Sequence, residues 1–583
     1  MPWQLHLALT GDPTELRISW ATRGKGCPSS VHFWAADNNN DGVPQAQQLL
    51  GTTAEYDNSD FCASPARDYE FDRPKYLHHV TLAGLIPGGR YIYRVAGSDR
   101  EVPFRAPPPI GPDSSFSFLA YGDMGESEHP AAKSPGASDT AERVLDEVKD
   151  GADLIVHVGD ISYANGRPEI WDSFMEAIEP FASRVPYMVA IGNHEYDYRR
   201  HDSSKDPSGA DKPYDPDWGN FGNDSGGECG VATTKTFAMP DIPDLGYWPQ
   251  PNCSSASGSG DSSVNCSGGW PGPRNPTLGP NGAAASAGAA GTVAAASGEA
   301  DPENHHHHRA NPPFWYSFSY GSVHFTVLST EHDVTPGSKQ YKWLKHDLRR
   351  VDRCRTPWLV VAMHRPMYVV FPHKSNRIVG EHLREALEDL LNEYEVDLVL
   401  SGHVHSYSRT CNVLDWRCAD EESEGGMTHV TVGCAGRKLS SVEHEQPDWL
   451  EFAESRFGFG RVTVRDGSSL TWDYIRTEDG RVHDSVTLYN KREGRRGCGR
   501  GNGQPGQSSN ATGGGGSNSS SVSAGADAMG KGEELAGSWD RCTASAGGTD
   551  KGGCLGAGDS ALSWQSMEEG ATRGVSQSVA ASA

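Results

Sequence analysis

The chain of 583 residues has no apolar run of the roughly 18 residues that a membrane-spanning helix needs. It also lacks an excess of positive charge. Against 77 Asp and Glu stand 51 Lys and Arg, a formal net charge of −26. That balance excludes a general binder of nucleic acid or of anionic membrane, since either needs concentrated basic side chains. The start, Met1 to Thr10 (MPWQLHLALT), has no basic stretch followed by an apolar one, so no signal peptide is expected in the chain as it stands. None of the 12 cysteines forms a C-x-x-C pair, which argues against a zinc ribbon. What is present points elsewhere. The cysteines, with N-x-S/T sequons at Asn223, Asn252, Asn265, Asn510 and Asn518, indicate a secreted or secretory-lumen protein, although they fix no disulfide pairing.

Length allows two or three domains with sizeable cores. Residues 1–110 read as β: LHLAL, LRISWAT, SVHFWAA, HHVTLAGL and RYIYRV are short β-rich runs between Gly, Pro and Asp turns. The stretch LAGLIPGGRYIYRV resembles the strand–turn–strand of a fibronectin-III-like sandwich, in which a tyrosine buries its ring and hydrogen-bonds the loop. APPPIGP (106–112) supplies a stiff linker. From Ser114 to about residue 490 apolar strands alternate with helical segments, the pattern of a layered α/β domain. SDTAERVLDEVKDG carries Asp139 and, three residues on, Glu142, a capping-box spacing, and SKQYKWLKHDLRRV and EHLREALEDLLNEY also read as helices. A Ser/Gly/Ala-rich disordered insertion is expected over about 251–311, and a low-complexity tail over 494–583. The HHHH run at 305–308 and the KREGRR run at 491–496 read as solvated segments.

One pattern recurs within the α/β part. An apolar strand stops and a metal-capable side chain follows at once: Asp123 in YGDMG, Asp160 and Tyr163 in GDISY, Asn193 in GNHE, His364 in VAMHRP, His403 and His405 in GHVH. In open α/β sheets the loops at the carboxyl ends of strands line the crevice where ligands bind. Taken singly, a Gly-Asp after a strand is a turn and a lone histidine belongs to the core. Five such motifs in one chain deliver oxygen and nitrogen donors in the manner of a two-metal hydrolase.

The series GDMG, GDISY, GNHE, VAMH and GHVH resembles the five-block signature of the purple acid phosphatases, within the calcineurin-like metallophosphoesterases; HRPMY, STEHD, FGNDSGGECGV and FGFGRVTV are similar to the plant-type branch. The resemblance covers about residues 1–490 and departs at the insertion and the tail. It implies a metallophosphoesterase sandwich of two mixed sheets flanked by helices, preceded by an all-β fibronectin-III-like domain. It implies that Asp123, Tyr163 and His405 bind Fe(III), that Asn193, His364 and His403 bind a divalent ion (Zn, Mn or Fe), and that Asp160 bridges them. Hard oxygen donors suit Fe(III), while imidazole and amide suit the divalent ion.

The activity implied is acid hydrolysis of small phosphate monoesters, with metal-bound hydroxide as nucleophile. His194 is similar to the family histidine that contacts phosphate and protonates the leaving group, with Glu195 placed to orient it; His373 stands where plant-type members place a second substrate histidine. A phosphodiesterase or pyrophosphatase on the same scaffold is the alternative within enzymes. A secreted glycoprotein with a decayed site is the alternative outside them. In that alternative the sandwich and tail would serve adhesion; otherwise the sandwich is expected to be a packing or homodimerisation platform.

Overall fold

A computed structural model describes residues 1–36, 46–69, 75–131, 133–198, 204–241, 309–370, 373–419, 425–442 and 447–490, with the short pairs 253–254 and 265–266. Most of the insertion expected over 251–311, the HHHH and KREGRR runs and the whole 494–583 tail lie outside them. Among the described residues no helix is long and apolar enough to cross a membrane.

The N-terminal part is two antiparallel four-stranded sheets. One runs in the order Trp3–Ala8, Leu16–Thr22, Tyr76–Leu82, Thr52–Glu55; the other in the order Gln47–Leu50, Ser30–Ala35, Arg90–Val95, Val102–Arg105. Alternation along each strand turns Leu16, Ile18, Trp20, Val31, Phe33 and Tyr93 into a shared core. The tyrosine expected to fasten the turn is Tyr91, whose ring is buried and whose hydroxyl accepts from the Ile86 amide at 2.8 Å.

The following part has two mixed sheets. Six strands run in the order Tyr187–Val189, Leu154–His157, Phe116–Tyr121, Gly458–Val464, Ser469–Arg476, Val482–Tyr489, with the first three parallel. In the other, Val323–Val327, Trp358–Ala362, Leu398–Ser401 and Met427–Val432 are parallel neighbours, flanked by Tyr316–Tyr320 and Tyr407–Leu414 in antiparallel register. Phe118 against Phe325 (5.1 Å between ring centres) and Phe116 against Tyr320 (4.8 Å) join the two layers. The central strands LIVH, WLVVA and LVLS are buried on both faces, so they read as unbroken apolar runs.

Three helices differ from the sequence reading. The first covers Ala137–Lys149 with Gly136 at its N-cap and no side-chain cap, so Asp139 lies inside the first turn and the expected capping box does not form. Pro168–Ala182 had no clear signal; it opens with proline, whose fixed φ and missing N–H suit a first turn. The long helix spans Lys374–Glu393 and so starts seven residues before EHLREALEDLLNEY. KSNRIVG carries too few apolar residues to show a helical period, yet its first turn faces the site described next. By contrast Ser338 caps Lys339–Arg350 through the Tyr341 amide, as its position suggests.

The sandwich grips the part that follows it at several points. Tyr93 donates to the Ser183 carbonyl at 2.9 Å, Lys75 pairs with Asp172 at 2.7 Å, and the disulfide Cys62–Cys229 closes a separation of 167 residues.

Candidate metal centre

Each motif residue follows the carboxyl end of a parallel strand. Asp123 comes after Phe116–Tyr121, Asp160 and Tyr163 after Leu154–His157, Asn193 after Tyr187–Val189, His364 after Trp358–Ala362, and His403 and His405 after Leu398–Ser401. Four of them hold left-handed backbone: Asp123 (φ 58°), Asp160 (52°), Tyr163 (55°) and His403 (65°). Such conformations cost about 1–3 kcal/mol each outside glycine and gather where function fixes a side chain. The glycines before Asp123, Asp160, Asn193 and His403 have a local cause: a Cβ on Gly192, for one, would meet Asp160 Oδ1 at 2.2 Å. The loops can approach only because those positions have no side chain.

The seven residues converge as two groups that share Asp160. Ligand atoms of Asp160, His364 and His403 lie within 4.8 Å of one another, as do those of Asp123, Asp160 and His405. In the first group Asn193 Oδ1 is 3.0 Å from His364 Nε2 and 2.9 Å from His403 Nδ1, and Asp160 Oδ1 is 3.2 Å from His364 Nε2. In the second, Tyr163 Oη is 2.9 Å from both Asp123 Oδ1 and His405 Nε2.

Proton counting decides what could sit between them. His364 Nδ1 is 2.9 Å from the Val158 carbonyl and His405 Nδ1 is 2.9 Å from the Lys438 carbonyl. A carbonyl only accepts, so each Nδ1 carries the proton and each Nε2 aims a lone pair inward. Asn193 spends its amide hydrogens on Asp224 (3.0 Å), which turns Oδ1 inward too. His403 Nε2 approaches Asn376 Oδ1 at 3.4 Å, leaving Nδ1 as an acceptor. Acceptors thus face acceptors, and the one phenol proton of Tyr163 must serve both Asp123 and His405. A cation in each group satisfies every lone pair, so the donor set fits two metal ions.

The titration behaviour agrees. Burial would raise the Asp160 carboxyl, yet His364 and His194 hold it well below the carboxylate range. Burial would lower His364, yet Asp160 lifts it to about 10, so without a cation a second proton sits on Nε2, on the lone pair that a metal ion would take. Burial, with Asp123 and Asp160, pushes the Tyr163 phenol well above its ordinary value, so it ionises only if a cation replaces its proton.

Of the expected substrate groups, His194 is at the centre. Its amide donates to Asp160 Oδ1 at 2.9 Å, its Nε2 is 3.9 Å from Asp160 Oδ2, and its ring is 4.3 Å from that of Tyr163. Glu195 does not orient it as expected. The buried Glu195 carboxylate instead accepts from the amides of Asp160, Ile161 and Gly192 at 2.8–3.0 Å, and Asn165 Oδ1 holds His194 Nδ1 at 2.8 Å. His373 is exposed at the N-cap of Lys374–Glu393 and belongs to neither donor group. Asn376, three residues on, is the one that reaches His403.

Several supporting residues were given no individual role in the sequence reading. Arg365 forms a buried two-pronged pair with Glu331 (2.7 and 3.0 Å) and donates to Asn220 at 2.7 Å, and Asn220 in turn donates to Asn376 at 2.9 Å. Glu228 accepts from the Gly166 amide (2.6 Å) and from the Trp171 indole (2.8 Å). Both Asp224 and Glu228 lie in the segment that Cys229 anchors to the sandwich. HRPMY contains Arg365, STEHD contains Glu331 and FGNDSGGECGV contains Asp224 and Glu228, and the contacts explain why these stretches accompany the donor groups.

Comparison with known proteins gives the same picture. Residues 2–109 match the purple acid phosphatase N-terminal domain, 116–244 and 296–407 the calcineurin-like phosphoesterases, and 426–485 the iron/zinc purple acid phosphatase-like C-terminal region. The chain is 31% identical over 514 residues to probable inactive purple acid phosphatase 27 of Arabidopsis thaliana, covering 83% of this chain and 69% of that one. It is 30% identical over 406 residues to a nucleotide pyrophosphatase/phosphodiesterase of Hordeum vulgare, covering 66% and 86%. Among solved structures, purple acid phosphatase PPD1 from yellow lupin (Lupinus luteus) seeds superposes with a TM-score of 0.63 at 26% identity, over 84% of this chain and 75% of that one. Sequence, fold and the strand-end donor groups agree: this chain belongs to the purple acid phosphatase family of metallophosphoesterases.

Proposed function

We propose that this chain is an acid phosphatase that hydrolyses small phosphate monoesters at a dinuclear Fe(III)–M(II) centre. The observation that carries the reading is the pair of acceptor-lined donor groups sharing Asp160. Asp123, Tyr163 and His405 would hold Fe(III), and Asn193, His364 and His403 the divalent ion, with Asp160 between them. Two such cations supply Lewis acidity toward a phosphate ester and acidify water. The protein's own groups bind and orient. Glu195 fixes the Asp160 and Gly192 loops to each other, and Asp224 keeps the Asn193 oxygen inward. Held by Asn165, His194 presents Nε2 beside Asp160 Oδ2, where it would give a proton to the departing alcohol.

The disulfides Cys62–Cys229 and Cys411–Cys418 support a secreted or lumenal setting. The sandwich over 1–110 would act as a packing platform for the 114–490 catalytic part, and exposed His373 would meet the distal end of a substrate. The name of the Hordeum vulgare relative favours a second reading, phosphodiester or pyrophosphate cleavage. The word "inactive" in the name of the Arabidopsis thaliana relative favours a third, a protein without turnover; the convergence of all seven donor residues speaks against it. The test is a substrate panel on the metal-loaded full chain at acid pH. Aryl monoester turnover at least about tenfold above that of the bis-aryl ester supports the first reading. The reverse order selects the second, and turnover of neither selects the third.

A further inference from the structure

Arg437 has no role in the arrangement above, yet it stands beside it. Its guanidinium carbon lies 4.3 Å over the ring of Tyr163. The side chain is half-buried, and among the described residues no carboxylate forms an ion pair with it. The other arginines near the core behave differently: Arg365 pairs with Glu331, Arg409 with Asp484 and Arg461 with Glu147 and Asp473. An unpaired guanidinium in a half-buried position normally forfeits much of its hydration without recompense.

Its position is fixed by the ligand loops themselves. The Arg437 amide donates to the Asp123 carbonyl at 2.9 Å, the Lys438 carbonyl faces His405 Nδ1 at 2.9 Å, and the Ser440 amide donates to the His405 carbonyl at 2.9 Å. Residues 437–440 are therefore tied to two of the motif residues. The guanidinium lies over the ring face rather than beside the phenol oxygen, so an anion that it holds is displaced from the atoms that face the cations. His194 packs against the same ring at 4.3 Å. A planar fork of N–H donors in that place matches a phosphate group bound in two-pronged fashion.

We propose that Arg437 binds the second phosphate of a diphosphate substrate, and so sets a preference for terminal phosphates carried on another phosphate. This rests on the phosphohydrolase chemistry common to the first two readings above, and within it favours the phosphoanhydride bond of the second. In the reaction water adds to the terminal phosphorus. The bridging P–O bond breaks, its electron pair leaves with the inner phosphate that Arg437 holds, and that oxygen takes its proton from His194. One diphosphate and one water give two monophosphates.

The test uses the metal-loaded full chain and calorimetric titration with methylenediphosphonate, which cannot be hydrolysed, and with orthophosphate. Loss of one charge-assisted pair in Arg437→Gln should weaken diphosphonate binding by about tenfold to a hundredfold. Orthophosphate binding should weaken by much less, and the ratio of kcat/KM for a nucleoside diphosphate to that for an aryl monoester should fall in parallel. Arg437→Lys, which keeps the charge and loses the fork, should fall between the two and serves if the Gln variant folds poorly. An equal loss for both anions, or no loss for either, would overturn the assignment. A wild-type chain that turns over neither substrate would defeat the phosphohydrolase reading instead, while the calorimetric contrast would still decide Arg437.

Discussion

Glu195 offers the sharpest test of how the centre is built. Its carboxylate is fully buried and is the single acceptor for three backbone amides: Asp160 and Gly192 on Oε2, Ile161 on Oε1. Burial, and then the charge of Asp160, push its pKa to about 8, and the amides of Ile161 and Gly192 pull the other way. Compared above pH 8, where the wild-type group is ionised, Glu195→Gln lets the side-chain oxygen still take the Asp160 and Gly192 amides, but its NH2 then faces the Ile161 N–H, donor against donor. A buried donor left without a partner costs about 1–3 kcal/mol, so about 2 kcal/mol of stability should be lost. Glu195→Ala orphans all three amides and should cost about 3 kcal/mol or more. The lost brace also lets the Asp160 loop drift, and supporting contacts of this kind change metal affinity about 10–100-fold. Scanning calorimetry and metal analysis after dialysis against a weak chelator read the two effects. A Gln variant that melts with the wild type and keeps all its metal would refute the reasoning.

Asp224→Ala frees the Asn193 amide to flip, so the divalent ion should bind about tenfold or more weakly, read by metal content at limiting Zn; unchanged affinity would remove Asp224 from the account. Opening the Cys62–Cys229 bridge by Cys62→Ser releases a 167-residue separation, worth at most about 5 kcal/mol by chain entropy, so the melting temperature should fall. Burial raises Glu228 from 4.5 to about 7. The folded state then holds its proton more tightly than the unfolded one. This contribution is full below about pH 4.5 and is lost as pH rises toward 7, on the order of 3 kcal/mol in all. In Glu228→Gln that part of the pH slope should vanish from melting curves taken between pH 4.5 and 7, and a slope unchanged from wild type would contradict the assignment.

The parts of this architecture that were legible in the sequence are those written in local chemistry. LIVH, WLVVA and LVLS ended abruptly before Asp160, His364 and His403, and a strand buried on both faces leaves few other ways to read such a run. The glycines before Asp123, Asp160, Asn193 and His403 were visible too, although the reason for Gly192, the 2.2 Å approach of Asp160 to its Cβ position, needed the folded loops. The supporting residues stayed hidden because each acts through another. Nothing local marks Asn165 as the partner of His194, or Asp224 as that of Asn193. Asn376 was missed because the turn KSNR has no apolar face, so the helix seemed to begin after it. Glu195 was assigned to the wrong neighbour because adjacency in sequence says little when the chain turns sharply: His194 packs beside Asp160 and Tyr163, and Glu195 turns back into the loop amides.

The central claim is that the two donor groups sharing Asp160 hold two metal ions, one of them ferric and bound by Tyr163. The visible absorption spectrum of the purified, oxidised full chain, taken with its metal content, tests this directly. The account predicts two metal ions per chain, at least one of them iron, and a broad purple band that disappears in Tyr163→Phe. A colourless, metal-free protein, or a band untouched by that substitution, would contradict it.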